Sequence, residues 1–559
     1  MGKIGGLAWR MGRGAFFLVV SLWLGLGWAW AADKTLEQPD KRYENTNVIL
    51  VTLQCLRPDH MGMNGYSRDT TPNLDHIAKS SVLFNNSIAQ TNLTPVAMMA
   101  ALTGQYPRVN GLISFDVTKD SVASRTMPEI LKYYGYTTAA VVTSPEFIMR
   151  FDSQSGKTAV NLRDVFSRGY DEYLWPRRHV GRSMRVVPTE SLEWLDHHKD
   201  QKFFLWIAAG SLHPPYAATV PEPDKSMYDP PHYTPFWRNY FPVSGNEGGP
   251  DDPTIDILLR IWNMDYYQGF KPVHHLTPED VAYITARYDA GVHYLDKFMG
   301  ELRDRLKQDG LDKNTLVIFY SIHGKMLGEG GVFVNYDIYE NVLKNLLMLR
   351  FPGDQYAGRR IDDLAQGVDI LPTLLSYLDI PSEAEAQGKD LMPLVRGEEG
   401  AKGNEYVYID RMPWWEHWMS RFFLEFKFQD PLKRNHPPSE DKAIEAYEKM
   451  LKQEFPMDAY PPGDIAIRSK KWKLIVRTNP RLLEKVAWPG FITGKPVHIP
   501  DVELYDIVSD PLQTHNVVAE HPQVAAELKA KLREWNNAVE LRQAPYHKSG
   551  EKRYIIPYP

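Results

Sequence analysis

Asn47–Gly65 reads NVILVTLQCLRPDHMGMNG. The β-branched and aliphatic run Val48-Ile49-Leu50-Val51 is apolar on both faces, which is the pattern of a strand buried on both sides rather than of one exposed to water. It runs directly into the turn Gln54-Cys55-Leu56-Arg57-Pro58-Asp59-His60. Binding and reacting groups of open α/β sheets gather beyond the carboxyl ends of strands. This stretch therefore predicts both the class of fold and the place where its chemistry, if any, resides.

Outward from it, strand-like and helix-like segments alternate. Thr71-Pro72-Asn73-Leu74-Asp75 opens a helical stretch, with Pro72 suited to a first turn. Val82–Phe84 is a short apolar run. Thr126–Tyr134 reads as a helix with Pro128 in its first turn, closed by Gly135. Thr138–Thr143, Phe203–Ala208, Thr315–Tyr320 and Leu346–Phe351 read as buried strands, and Tyr283–Lys307 has helical periodicity. Alternation of this kind predicts a large, mostly parallel α/β sheet covered by helices on both faces. A smaller C-terminal α+β subdomain is expected from the strand-like segments Ile465–Val476 and Val502–Ile507 and the helix-like Gln523–Val539. The domain expectations are a signal segment over 1–31, an α/β domain over 45–400, a C-terminal subdomain over 401–543 and a tail over 544–559. Two stretches read as insertions, about 216–280 and about 406–463. The second carries Trp414, Trp415, Trp418, Phe422, Phe423, Phe426 and Phe428.

Composition narrows the function. The 559 residues are 43% hydrophobic and 24% charged, ordinary for a globular chain with a sizeable core. A formal charge of −6 without a basic stripe argues against nucleic-acid binding. Lys3, Arg10 and Arg13, then the apolar Ala15–Trp30, then Ala29-Trp30-Ala31, have the form of a secretory signal. Export to a periplasm, cell envelope or exterior is the expectation, with no transmembrane body. Cys55 is the single cysteine, so no internal disulfide can form.

Ordered matches along the chain resemble the sulfatase family of the alkaline phosphatase superfamily. They are Thr70–Gln90 (TTPNLDHIAKSSVLFNNSIAQ), Ala100–Leu112 (AALTGQYPRVNGL), Arg287–Gly331, Gln366–Pro381, Gly388–Gly397 and Glu503–Pro522. In that family the first strand end reads roughly DTLRADH or DDL, and its leading Asp binds the metal; Gln54 stands there in this chain. The family nucleophile, made from Cys or Ser in C/S-x-P-x-R, aligns with Thr94, and Met98 takes the place of the motif's Arg. A threonine carries a methyl on its β-carbon and cannot become formylglycine, and no such motif surrounds Cys55. The second metal loop, S-D-H-G-E in the family, reads Ser321-Ile322-His323-Gly324-Lys325. Ile322 replaces an Asp and Lys325 a common Glu. The family's Lys and His contacts to sulfate are absent around Val142–Glu146, and Gly330 and Asn335 stand where a GEHG…K pattern supplies His and Lys. His213 survives in SLHPPY.

A divalent cation needs anionic oxygens, and one imidazole falls short of the ligand sets that hold zinc. The expectation is therefore no cofactor and no metal, with a degenerate pocket of Gln54, Cys55, Thr94, His213, Ile322, His323 and Lys325. Arg57, Asp59 and His60 are expected to hold the turn. The reading that follows is an exported sulfatase-fold pseudoenzyme, a binding or structural component. Its partners would be proteins of an envelope or periplasmic assembly, through the aromatic insertion, or a glycan or anionic ligand. The competing reading is a sulfuric or phosphoric ester hydrolase or transferase with Thr94 as nucleophile and His213 or His323 as acid or base. That reading alone would call for a divalent cation, calcium or zinc.

Overall fold

The computed structural model describes residues 41–112, 122–143, 160–174, 183–210, 220–234, 277–329, 333–335, 337–383, 385–411, 464–477 and 499–542, with the short pieces 150–151, 212 and 216. The large sheet comprises β1 (Asn47–Leu53), β2 (Val82–Ile88), β3 (Thr137–Val142), β4 (Glu172–Leu174), β5 (Phe203–Ala209), β6 (Thr315–Ser321), β7 (Lys344–Arg350) and β8 (Arg359–Gln366). Its order is β8-β2-β7-β6-β1-β5-β3-β4. β1 pairs in parallel with β5 on one side and β6 on the other. Only β7 runs against the rest. Every residue of β1, β5 and β6 is buried, as their unbroken apolar runs require.

The helices that matter for the site are α1 (Pro72–Ala78), α2 (Thr94–Thr103), α3 (Met127–Tyr133), α4 (Ser183–His198), α5 (Pro278–Gln308), α6 (Ile370–Tyr377) and α7 (Pro522–Arg542). α2 is buried on every side. Its Thr-Pro start suits a first turn, and Gly104 at φ 66 ends it. α5 begins in a capping box: Asp280 accepts from the Thr277 amide at 2.7 Å, and the Thr277 hydroxyl accepts from the Asp280 amide at 3.2 Å. Farther along, α5 sends two buried carboxylates into neighbouring turns. Asp296 accepts from the Asn73 and Leu74 amides at 2.8 and 2.7 Å, capping α1. Asp289 binds His60 Nδ1 at 2.7 Å and the Tyr66 hydroxyl and Arg68 at 2.6 Å each.

A second, antiparallel sheet comprises β9 (Val407–Asp410), β10 (Ile465–Arg468), β11 (Trp472–Val476) and β12 (Val502–Asp506), in that order. α7 packs on it through Leu528, Leu532, Trp535 and Val539. Asp410 pairs with Ile465, Ile465 with Val476 and Val476 with Val502. The chain between β9 and β10 and that between β11 and β12 therefore leave from the same end. The Arg411 amide donates to the Asp464 carbonyl at 2.8 Å and closes the first departure point.

Strand β8 has no counterpart among the sequence-based strands. It is an edge strand whose outer half, Arg359-Arg360-Ile361-Asp362, is largely exposed, so it lacks an apolar signature. Strand β4 and helices α2, α4 and α6 likewise have no sequence-based counterpart, β9 lies within the stretch expected to be an insertion, and α5 starts five residues before its periodic pattern; the elements that were expected fall close to their places. The signal segment, the tail and most of both expected insertions lie outside the described residues.

The small sheet meets the segment that precedes β7 across buried charges. Arg477 binds Asp337 at 2.7 Å, Asp464 at 3.1 Å and Glu503 at 2.7 Å. Glu340 lies between Arg468 at 3.4 Å and Lys473 at 3.2 Å. Burial works to raise the Glu340 carboxyl, yet the Arg468 and Lys473 charges hold it down at about 2. Burial pushes the Lys473 ammonium to about 8, with Glu340 opposing it. Such networks add little net stability but fix register, because removing one member strands the others. Replacing Arg477 with Met is expected to cost ~3–5 kcal/mol in denaturant unfolding; a loss within error of zero contradicts this account. The Glu340 contribution is whole above its ordinary value of 4.5 and fades as pH falls toward about 2. Urea midpoints measured across that interval should therefore fall more steeply for the native chain than for Glu340→Gln.

Candidate functional site

The carboxyl end of β1 turns through Cys55, which adopts a left-handed φ of 65°. That conformation costs a non-glycine residue roughly 1–2 kcal/mol, and the surroundings hold it in place. The Tyr288 hydroxyl donates to the Cys55 carbonyl at 2.8 Å and accepts from the Arg57 amide at 2.9 Å. Arg57, buried, binds Asp59 Oδ1 at 3.0 Å and the Lys325 carbonyl at 3.0 Å, and pairs with Glu329. With His60 on Asp289, the retained Arg57-Pro58-Asp59-His60 stretch serves the turn itself.

Three of the sequence-selected residues converge beyond this turn. Gln54 Nε2 donates to Thr94 Oγ1 at 3.1 Å, and Thr94 Oγ1 lies 2.8 Å from His323 Nε2. His323 Nδ1 lies 2.8 Å from the Gly324 carbonyl. A carbonyl can only accept, so Nδ1 carries the proton, and Nε2 of the neutral ring accepts from the Thr94 hydroxyl. The direction of the chain is thereby set: Gln54 amide to Thr94 hydroxyl to His323 ring to backbone. Gln54, Thr94 and His323 are all buried. Burial, offset in part by the Gly324 hydrogen bond and reinforced by the Lys325 charge, pushes the imidazole down to about 4.

Of the rest of the expected pocket, Cys55, Ile322 and Lys325 lie within the described residues and all are buried. Ile322 is buried, and its amide donates to the Leu53 carbonyl at 3.3 Å. Lys325 is fully buried; its amide donates to the Asn341 carbonyl at 2.9 Å, and its ammonium lies 5.5 Å from the centre of the Tyr216 ring. The buried Cys55 thiol acts electrostatically on the Tyr216 phenol, which burial foremost holds well above the ordinary tyrosine range. Asn335 and Asn92 exchange side-chain amide to backbone carbonyl bonds at 2.6 and 2.8 Å. His213, Gly330 and Ser144–Glu146 lie outside the described residues. His293, on α5, reaches the Asp69 carbonyl at 3.0 Å. Tyr216, Tyr288 and Glu329 were not singled out in sequence. Tyr288 and Glu329 lie more than 200 residues from the turn they fix, and no local pattern marks such a partner.

The aromatic stretch begins within the described residues. Tyr406 receives the Lys531 ammonium 4.9 Å from its ring centre, and Tyr408 stacks on Trp535 at 4.8 Å and 1°. Buried Arg411 pairs with Asp464 at 3.5 Å. These three residues pack on the chain's own α7 and β10, and the remainder, 412–463, lies outside the described residues.

The donors at the strand end test whether a divalent cation fits. Gln54, Thr94 and His323 offer one amide, one hydroxyl and one imidazole, joined to each other. Ile322 offers nothing, and Lys325 brings a positive charge. Calcium and magnesium sites rest on carboxylates, and zinc sites on three or four protein ligands. Among the described residues no group of three His, Cys, Asp or Glu is placed to hold a metal ion. The described residues of the strand end do not fit a divalent cation.

Comparison with known proteins gives the family. The family model named Sulfatase matches residues 46–380, more than half of the chain. The "Ulvan-active sulfatase" of Formosa agariphila is 24% identical over 399 residues, covering 68% of this chain and 70% of its own. The iduronate 2-sulfatase of Homo sapiens is 24% identical over 561 residues, covering 91% and 96%. The phosphonate monoester hydrolase of Agrobacterium radiobacter superposes with a TM-score of 0.60 at 18% identity, covering 88% of this chain and 96% of its own. A structure solved in complex with its substrate D-glucosamine-2-N,6-O-disulfate gives a TM-score of 0.58 at 17% identity, covering 89% and 98%. Both structural likenesses concern the fold: a mostly parallel sheet between helices, with a small antiparallel sheet after it. Taken with β1, the loop that follows β6 and the ordered motifs between them, the match places the chain in the sulfatase family.

Proposed function

We propose that this protein is a sulfatase-fold pseudoenzyme that works by binding rather than by turnover. The observation that carries the reading is the Gln54–Thr94–His323 chain. The position of the nucleophile holds a buried hydroxyl bonded to two neutral side chains. A hydroxyl needs a base or a metal to become a nucleophile at neutral pH. An imidazole at about 4 is a weak base for that purpose, and the donor set does not fit a metal. Several changes at one place, in a frame otherwise kept, support lost catalysis better than altered catalysis. The proposed setting is outside the cytoplasm, following the signal-like N-terminus. The proposed partner is a protein of an envelope or periplasmic assembly, or a glycan or other anionic ligand. Relatives named as sulfatases of ulvan and iduronate make a sulfated glycan the natural form of the latter.

One observation favours the second reading, an ester hydrolase or transferase. Thr94 Oγ1 and His323 Nε2 are at hydrogen-bond distance with the tautomer of a base, the relation of nucleophile to base in hydroxyl-dependent enzymes.

Two measurements decide between them. Hydrolysis of aryl sulfate, phosphate monoester and phosphonate monoester substrates should be equal for the native chain and Thr94→Ala, at background; turnover that vanishes with the hydroxyl establishes the second reading. In nitrogen-detected NMR, His323 should appear as the neutral Nδ1–H tautomer at pH 5.5 and titrate near 4. Its folded value lies below the ordinary 6.5, so its contribution to stability is complete above 6.5 and declines as pH falls through 4. A charged ring at pH 5.5 contradicts the buried, neutral chain.

A further inference from the structure

We infer that the outer edge of β8 is a docking surface for a second copy of this chain, the two β8 strands pairing antiparallel about Ile361 and joining two eight-stranded sheets into one. The inference goes beyond the pseudoenzyme reading and does not depend on it. The edge reads Arg359-Arg360-Ile361-Asp362-Asp363, and its charge changes sign about the central residue. On its inner side β8 pairs with β2. The Gly358 amide donates to the Ser81 carbonyl at 3.0 Å, and the Asn86 side chain of β2 donates to the Asp362 carbonyl at 2.9 Å. Backbone groups alternate in direction along a strand, so these even positions face β2, and the amides and carbonyls of Arg359 and Ile361 face outward. Among the described residues no backbone hydrogen bond reaches them there. Farther along, Asn404 bridges Leu364 on the outer side, so the free edge ends before it.

A row of unpaired amides and carbonyls is a template for another strand, and the side chains decide which strand fits. Ile361 is 9% exposed and belongs to the core. Its burial puts Arg360 and Asp362, one residue to either side, on the opposite, exposed face. Among the described residues neither has an oppositely charged partner, and each is steadied by a neutral one. Arg360 donates to Asn64 Oδ1 at 3.1 Å, and Asn85 donates to Asp362 Oδ1 at 2.6 Å. Arg359 and Asp363 are engaged within the chain, by the Val395 carbonyl at 2.9 Å and by Lys470 at 3.1 Å. A two-fold axis at Ile361 sets Arg360 of each copy opposite Asp362 of the other. Moving the axis to Arg360 or to Asp362 brings like charges face to face. The charges therefore admit one register and reject its neighbours, and they reject a strand without the complementary order. β8 runs parallel to β2 and, by way of β7 and β6, in the same direction as β1. The two-fold consequently turns the two strand-end pockets to opposite sides of the joined sheet.

Sedimentation velocity across a micromolar concentration series compares the native chain, Arg360→Asp, Asp362→Arg and Arg360→Asp/Asp362→Arg. The native chain should associate reversibly into a dimer, and less so at high salt, because the facing charges lie near the surface. Each single exchange sets like charges against each other and should weaken association at least about tenfold. The double exchange reverses both charges and should restore it. An equimolar mixture of the two single variants should dimerise although neither does so alone, since each supplies the charge that the other lacks. All the variants should keep the native Tm, because both positions are exposed. A native chain that stays monomeric throughout the series overturns the inference. So do single variants that dimerise like the native chain, or a double exchange that stays monomeric. If a single variant melts well below the native chain, the mixture decides: recovery of the dimer supports the inference, and no recovery overturns it.

Discussion

β1 cannot exist alone. Each of its residues is buried, and its backbone donors and acceptors are satisfied only if β5 and β6 arrive in parallel register on either side. Parallel neighbours demand crossovers, and those crossovers supply the helices on both faces. The end of the strand is consequently a fixed point, reached by α2 from one direction and by the loop after β6 from another. Gln54, Thr94 and His323, separated by 40 and 229 residues in sequence, meet there because the sheet leaves them nowhere else to go.

Sequence was a good guide wherever an element is buried on both faces. β1, β5 and β6 announce themselves as unbroken apolar runs, and α5 by a long periodic pattern, though its first turn, Pro278–Ala282, was hidden at the edge of an apparent insertion. Edge elements were silent: β8 is half polar because half of it faces water. The reversed direction of β7 was also beyond reach, since its residues would look the same in either orientation. At the site, the identities of the substituted positions were legible, because they sit at counted distances from recognisable neighbours. Their hydrogen bonds were not. The proton arrangement along Gln54, Thr94 and His323 depends on the Gly324 carbonyl, a backbone group that no residue type encodes. The partners that hold the turn, Tyr288 and Glu329, were equally invisible for want of any local signal.

The substituted positions make physical sense together. A buried pocket must balance its charges and satisfy its polar atoms whether or not it performs chemistry. Here amide, hydroxyl and imidazole satisfy one another in a fixed direction, and the cationic side chain is contributed by the loop that also carries the imidazole. The buried ion pairs of the small sheet balance charge with charge: the network joins Asp337 and Glu340, just beyond the pocket loop, to β10, β11 and β12. The small sheet thus anchors the chain downstream of the site without supplying any atom to the Gln54–Thr94–His323 chain.

The closed stem at Arg411 and Asp464 has an evolutionary consequence. Because the chain returns to the residue beside which it left, the register of β9 against β10 is independent of how much sequence lies between them. Loop-closure entropy grows only logarithmically, so doubling such an excursion costs about 0.6 kcal/mol. The end of the small sheet is therefore a place where a lineage can lengthen, shorten or rewrite its sequence at little thermodynamic risk. Diversity among relatives of this fold should concentrate there, while the strand ends a few residues away keep their spacing.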